Sequence, residues 1–209
     1  MPTASRAVCE RFDAIIFDLF GVVISFDDGL VTGRLAKYCT DPARAFIAMK
    51  DIVSDGELIR GKLSLSGLYA RLVRDHGLSL NMTAFESLWR EPYSKSMPGM
   101  RELLQGLAGR QKIVLLSNVD EHYWKVIQSL HDELRYFDQF VLSWELGRAK
   151  PEQEVFARAA EAARTEPHRC FFVDDKIENT RAAALLGMHT HLFAGVGTLR
   201  EALSRERII

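Results

Sequence analysis

Cysteine is scarce in this chain. Its three residues, Cys9, Cys39 and Cys170, are an odd number without CxxC spacing. Neither a disulfide framework nor a zinc site is indicated, and a reducing, intracellular compartment is expected. No apolar run reaches the roughly 18 residues that a membrane-spanning helix requires. Met1–Phe12 carries scattered charges and lacks the apolar stretch of a secretory signal. A cytoplasmic protein without a membrane partner is expected. Charge of one sign is also missing: 27 basic residues face 28 acidic ones, for a net charge of -1, and no basic run interrupts the chain. Nothing here favours nucleic acid as a partner. Internal repeats, low-complexity tracts and long flexible linkers are absent from the sequence as well.

What remains is an ordinary globular composition. With 209 residues, 47% hydrophobic and 26% charged, the chain can build one sizeable core, or a core carrying a smaller inserted module. Ala14-Ile15-Ile16-Phe17 is an unbroken apolar run ending at Asp18 and followed by Gly21, the pattern of a strand buried on both faces. Three runs repeat it: Ile113–Leu116 ending at Ser117-Asn118, Phe140–Leu142 ending at Ser143, and Phe171–Val173 ending at Asp174-Asp175. His189–Phe193 is a weaker fifth strand. Helical stretches lie between them, at Glu121–Leu130, Glu152–Arg164 and Glu178–Leu186. Strand and helix in alternation predict an α/β fold, a Rossmann-like parallel sheet with helices on both faces. Ligands of such sheets bind at the carboxyl ends of the strands, where Asp18, Ser117, Asn118, Asp174 and Asp175 fall.

Between the first and second runs, residues 27–96 read as several amphipathic helices without a convincing strand. Asp41-Pro42, Ser64 and Asn81 or Thr83 are candidate helix starts, and Pro98-Gly99 marks the return to the core. The expected organisation is a core of residues 1–26 and 97–209 interrupted by a helical insertion over 27–96.

Three carboxylates brought together from the ends of separate strands repel one another and need a cation to coexist. Magnesium suits an all-oxygen set, whereas zinc would ask for His or Cys, which these turns lack. A phosphoryl group needs positive charge, donors to its oxygens and an in-line nucleophile. Lys150, before Pro151 at the start of a helix, and Ser117 are the candidates for the first two.

In this order along the chain, Phe17-Asp18-Leu19-Phe20-Gly21-Val22, Leu116-Ser117-Asn118, Lys150-Pro151 and Val173–Asn179 resemble the four motifs of the haloacid dehalogenase superfamily. The resemblance spans residues 13–193, and the insertion is similar to the helical-bundle cap of one large subgroup. It implies a magnesium-dependent phosphatase of a small phosphorylated metabolite, with oligomeric state left open. Asp18 would be the catalytic nucleophile, forming an aspartyl phosphate. Ser117 and Asn118 would bind the transferring group, and Lys150 would stabilise it. Asp18, the Phe20 backbone carbonyl, Asp175 and the nearby Asp174 would hold Mg2+.

One position departs from the pattern. Family phosphatases usually place a second aspartate two residues after the nucleophile to move the leaving-group proton, and here that place holds Phe20. Two alternatives follow. A metal-independent 2-haloacid dehalogenase needs no such proton because halide leaves as an anion, although the Asp174-Asp175 pair argues against it. A catalytically silent member would only bind a ligand or a protein. Lys176 stands where the family commonly has a small hydroxyl residue; it reads either as a solvent-facing helix-start lysine or, turned inward, as a competitor of Mg2+ for Asp175. His122 could supply a proton but reads better as a surface residue. Tyr123-Trp124 and Tyr136-Phe137 read as packing against the sheet, and Arg60, Lys62, Trp89 and Tyr93 as insertion residues that either contact substrate or simply pack.

Overall fold

The computed structural model describes residues 12–209 except 27, 55, 92 and 93, so Cys9, Asp27 and Tyr93 lie outside the described residues. In chain order the elements are β1 (Ala14–Phe17), β2 (Ile24–Phe26), α1 (Asp28–Ala36), α2 (Pro42–Ser54), α3 (Leu65–His76), α4 (Met82–Arg90) and β3 (Ser94–Ser96). There follow α5 (Met100–Leu107), β4 (Lys112–Ser117), α6 (Glu121–Leu130), β5 (Gln139–Leu142), α7 (Ser143–Leu146) and α8 (Gln153–Ala163). The chain ends with β6 (Cys170–Asp174), α9 (Ile177–Leu185), β7 (His189–Leu192) and α10 (Val196–Arg205). No helix among the described residues is long and apolar enough to cross a membrane.

Five strands form a parallel sheet in the order β5-β4-β1-β6-β7. The alternation of a pleated strand divides its side chains into two cores. Ile15, Phe17, Ile113, Leu115, Phe171 and Val173 face one side, where α5, α6 and α10 pack through residues such as Leu104, Ile127 and Leu203. Ala14, Ile16, Val114, Leu116 and Phe172 face the other, against Val155, Phe156 and Ala159 of α8 and Ala183 of α9. With helices on both faces the central strands are buried along their lengths except at Lys112, where β4 begins, which is why their sequences read as continuous apolar runs. Edge strand β5 departs from this: Gln139 and Phe140 are exposed.

Helices α1–α4 pack on one another, and Val31, Leu35, Leu68 and Phe85 join the first of the two cores. The expected helix starts are used. Asp41 accepts from Arg44 N at 3.1 Å, Ser64 from Gly67 N at 3.0 Å and Asn81 from Ala84 N at 2.9 Å. The expectation that residues 27–96 hold no strand is corrected by β3. Its three residues, Ser94-Lys95-Ser96, pair antiparallel with β2 in the register Ile24↔Ser96. A three-residue polar strand has no hydrophobic alternation to announce it, and only its pairing with β2 defines it.

Candidate active site

The central position of β1 builds the site. Phe17 is in register with Leu115 of β4 on one side and Val173 of β6 on the other. The residues at or just past the three carboxyl ends, Asp18, Ser117 and Asp174, therefore come together although they are far apart in sequence. Asp18 N donates to Val173 O at 2.8 Å, and Leu19 N donates to Asp18 Oδ1 at 2.6 Å. The chain then turns sharply: Leu19 O accepts from Val23 N at 2.9 Å and Ile24 N at 3.0 Å.

Lys150 reaches in from the loop before α8. Its Nζ lies 2.6 Å from Asp18 Oδ1 and 2.8 Å from Asp174 Oδ2, with all three side chains almost fully buried. Its backbone is held by the residue just past β4: Lys150 N donates to Asn118 Oδ1 at 2.8 Å, and Asn118 Nδ2 donates to Lys150 O at 3.0 Å. The Asn118 side chain thus grips the lysine loop. Asp174 accepts from Lys150, from Lys176 N at 2.8 Å, and from Asn179 Nδ2 at 3.0 Å on each oxygen. Its carboxylate is committed to these donors. Asp175 is the outermost of the three acids, and Asp18, Asp174 and Asp175 offer ligand oxygens within 4.8 Å of one another.

Burial dominates the ionisation of Asp18. Desolvation pushes its carboxyl up to about 8; Lys150 opposes this and Asp174 adds to it. Asp175 is raised by desolvation and by Asp174. Burial works against the Lys150 ammonium, but Asp18 and Asp174 outweigh it and its pKa is raised. Ionising all three acids beside one ammonium would leave an excess of two negative charges, a state that burial and mutual repulsion disfavour in the absence of a cation. All the donors are oxygen, so the set fits a hard divalent cation such as Mg2+ and not a thiophilic one.

Gly21 belongs to the same cluster. It sits at φ +82, and a Cβ there would lie 2.3 Å from Asp175 Oδ2; only glycine allows the turn to pass so close to this carboxylate. Ser117 Oγ is buried and has no hydrogen-bond partner among the described residues. A donor in that state is what an oxygen-rich ligand would satisfy.

Phe20 is half-buried and stacks on Tyr123, with ring centroids 6.2 Å apart and planes at 28°. The place two residues after Asp18 is therefore an apolar surface. Tyr123, Trp124 and Phe137 are buried in the core as expected, and Tyr136 is half-buried. Lys176 is exposed. His122 lies in the first turn of α6, where its backbone N–H donates to the capping Asp120. Trp89 is buried beside Phe85, and Lys62 is exposed. Arg60 pairs with Glu152 of the core at 2.9 Å, and Ser143 is buried between Val119 and Ile59. The roles of Glu152 and Ser143 escaped the sequence reading. Both sit directly beside predicted strand-end or helix-start signals, which was the only clue available.

Comparison with known proteins agrees with this construction. A family model described as haloacid dehalogenase-like hydrolase matches residues 12–187. The chain is 27% identical over 207 residues to a sesquiterpene phosphatase of Aspergillus oryzae, covering 93% of this chain and 96% of that one. It is 26% identical over 183 residues to the D-ribitol-5-phosphate phosphatase of Bacteroides thetaiotaomicron, covering 84% and 89%. A haloacid dehalogenase family enzyme from Bacteroides thetaiotaomicron, crystallised with magnesium and inorganic phosphate, shares the fold at a TM-score of 0.75 and 22% identity, over 88% of this chain and 96% of that one. The L-2-haloacid dehalogenase of Xanthobacter autotrophicus shares it less closely, at 0.61 and 16%, over 95% and 84%. The four strand-end motifs on a five-stranded parallel sheet and the family match lead to one assignment: this chain belongs to the haloacid dehalogenase-like hydrolases.

Proposed function

We propose that this hydrolase is a magnesium-dependent phosphatase of a small phosphorylated molecule, with Asp18 as its covalent nucleophile. The observation that carries the reading is the buried Asp18–Lys150–Asp174 group beside Asp175. Such a concentration of carboxylates with a single ammonium is costly unless a cation and an anionic substrate complete it. The phosphatase names of the two relatives support the choice of phosphoryl over other transferable groups.

Asp18 and Asp175 have carboxylate oxygens to offer the ion, together with the Phe20 backbone carbonyl, while Asp174 stands behind them holding Lys150. Mg2+ bound there supplies neutralisation of the nucleophile and of the phosphoryl oxygens. In the first step an Asp18 oxygen bonds to phosphorus, the ester P–O bond breaks and the alkoxide leaves. In the second, water attacks the phosphorus, releasing inorganic phosphate and restoring the Asp18 carboxylate. Lys150 offsets charge on nucleophile and substrate, and the Ser117 hydroxyl and the backbone at Asn118 donate to the phosphoryl oxygens. Residues 27–96 act as a cap that closes over the bound substrate and selects it.

Phe20 favours a second reading. An apolar group beside the nucleophile suits a leaving group that needs no proton, as in metal-independent dehalogenation, where Asp18 would attack carbon and water would then cleave the ester. One panel separates the readings: purified protein with phosphate esters, acyl phosphates and 2-haloacids, each with Mg2+ or with chelator. Magnesium-dependent phosphate release, abolished in Asp18→Asn, is the expected result. Chelator-resistant halide release would replace the phosphatase reading with the second, and no turnover of any class would leave a binding protein.

A further inference from the structure

The segment between β2 and β3 meets the lysine loop at one turn. Residues 57–62 fold back on themselves, with Gly61 N donating to Leu58 O at 3.0 Å and Lys62 N to Glu57 O at 2.7 Å. The turn is seated on the strand ends at three points. Ser143 Oγ donates to Ile59 O at 2.5 Å while accepting from Val119 N at 3.0 Å. Gly61 passes so near α7 that a Cβ would meet Trp144 O at 2.5 Å. Between these points Arg60 Nη1 donates to Glu152 Oε1 at 2.9 Å. That same carboxylate oxygen accepts from Ala149 N at 3.1 Å, one residue before Lys150.

We propose that Arg60 is a positioning residue for Lys150, acting through Glu152. The inference rests on the reading of Lys150 as the charge that stabilises the phosphoryl group. Two side chains clamp the backbone around Lys150: Asn118 from the core, and Glu152 from the start of α8. Glu152 makes no cap bond to its own helix, so its carboxylate is free of that duty and turned back to the loop. Its second cation, Arg148, is 55% exposed and shared with Glu154, whereas Arg60 is 23% exposed and comes from the inserted segment. A part-buried pair is screened less by water than an exposed one, so Arg60 has the stronger hold on the carboxylate. When the turn is seated, Glu152 is pinned and holds Ala149 in place, and Lys150 Nζ stays between Asp18 and Asp174. When the turn lifts, Glu152 loses that anchor and the lysine loop loosens. Docking of the inserted segment and assembly of the catalytic charge are thereby one event.

The test is a double-mutant cycle of Arg60→Ala and Glu152→Gln with Arg60→Lys as the conservative variant, read in two ways. With p-nitrophenyl phosphate and Mg2+, Arg60→Ala is expected to lower kcat about tenfold with little change in KM, because misplacing a catalytic group penalises the chemical step. Arg60→Lys should recover part of the loss, and Arg60→Ala with Glu152→Gln together should lose no more than either alone. The surface variant Arg74→Ala should leave turnover unchanged. The second readout needs no turnover: acetylation of lysines by an N-hydroxysuccinimide ester, mapped by peptide mass spectrometry. Lys150 should label about tenfold faster in Arg60→Ala, with Lys112 as the unchanged internal reference, since local opening sets access to a buried group. Unchanged Lys150 labelling, additive kcat losses, or a raised KM at constant kcat would each overturn the proposal, the last by making Arg60 a substrate contact. If the unmodified protein hydrolyses no phosphate ester, the phosphatase reading fails by itself, and the labelling still decides whether Arg60 positions Lys150.

Discussion

Replacing Gly21 by alanine should separate metal binding from folding. Two costs are involved. Left-handed backbone costs a non-glycine residue about 1–2 kcal/mol, and Gly21 lies at φ +82. The new methyl would also come within 2.3 Å of Asp175 Oδ2 and 2.7 Å of its Cγ, so one of them must move by about an ångström to reach ordinary contact distance. The Asp175 side chain is exposed and gives way most easily, turning its carboxylate out of the cluster. Gly109 provides the control: it has nearly the same backbone angle, φ +75, and nothing within 4 Å of its Cβ position. Gly21→Ala and Gly109→Ala should therefore lose similar stability without Mg2+, about 1–2 kcal/mol each. With Mg2+ they should diverge. At a Mg2+ concentration about 100 times the dissociation constant, binding stabilises the native protein by about 2.7 kcal/mol; a 100-fold weaker site keeps only about 0.4. Denaturant melts of the three proteins with and without Mg2+ read this gap of roughly 2 kcal/mol. Equal Mg2+ stabilisation of Gly21→Ala and Gly109→Ala would refute the assignment of Asp175 as a ligand.

Three further outcomes follow from the same geometry. Ser117→Ala should leave stability unchanged or raise it by up to about 1 kcal/mol, because the hydroxyl is buried without a partner; turnover should fall about 10²-fold as a phosphoryl donor is lost. A melt and a kinetic assay of one preparation check both, and a destabilised variant would contradict the geometry. Phe20→Asp should raise turnover of alkyl phosphates by about 10²-fold if proton transfer is what the site lacks. Loss of the Tyr123 stack should cost about 1 kcal/mol, and no kinetic gain would show that the leaving group is protonated elsewhere. Asp13 bonds to Arg169 and, at 2.7 Å, to Thr165, and the Arg169 hydrogen bond is the chief cause that lowers its pKa to about 2. The folded pKa lies below the unfolded one, so this contribution is present above about pH 4 and is lost as pH falls to about 2. The shift alone corresponds to about 2.5 kcal/mol, which solvent screening of a 39% exposed side chain reduces to about 1 or less. The stability difference between the protein and Asp13→Asn should thus shrink over that interval in acid melts; a constant difference would refute the linkage.

The parts of the fold legible in the sequence were those with a strong local signature. β1, β4 and β6 lie at the centre of the sheet, and double burial writes them as apolar runs closed by polar residues. The starts of α3, α4 and α6 carry their own capping side chains. Elements defined by their partners were hidden. β3 is Ser94-Lys95-Ser96 and exists because β2 lies beside it, while α10 begins after Gly195 with no side-chain cap. The candidate site divides in the same way. Asp18, Ser117, Lys150 and Asp174 stand at strand ends or at a helix start, where chemistry is expected. That Asn118 turns its side chain to the Lys150 backbone, or that Glu152 joins Ala149 to Arg60, depends on contacts across 32 and 92 residues that no local pattern records.

The short β2–β3 ladder has an evolutionary consequence. The chain leaves the sheet domain at Ile24 and comes back at Ser96, directly across the ladder, so everything between is a closed excursion whose two ends are already tied. Closing such a loop costs only about 0.6 kcal/mol more for each doubling of its length. The intervening residues can therefore lengthen or shorten with little entropic penalty to the strands that carry Asp18 and Asp174, provided the contacts that seat them on the core are kept. Length can thus change elsewhere in the excursion while the seat of the 57–62 turn on the lysine loop is kept.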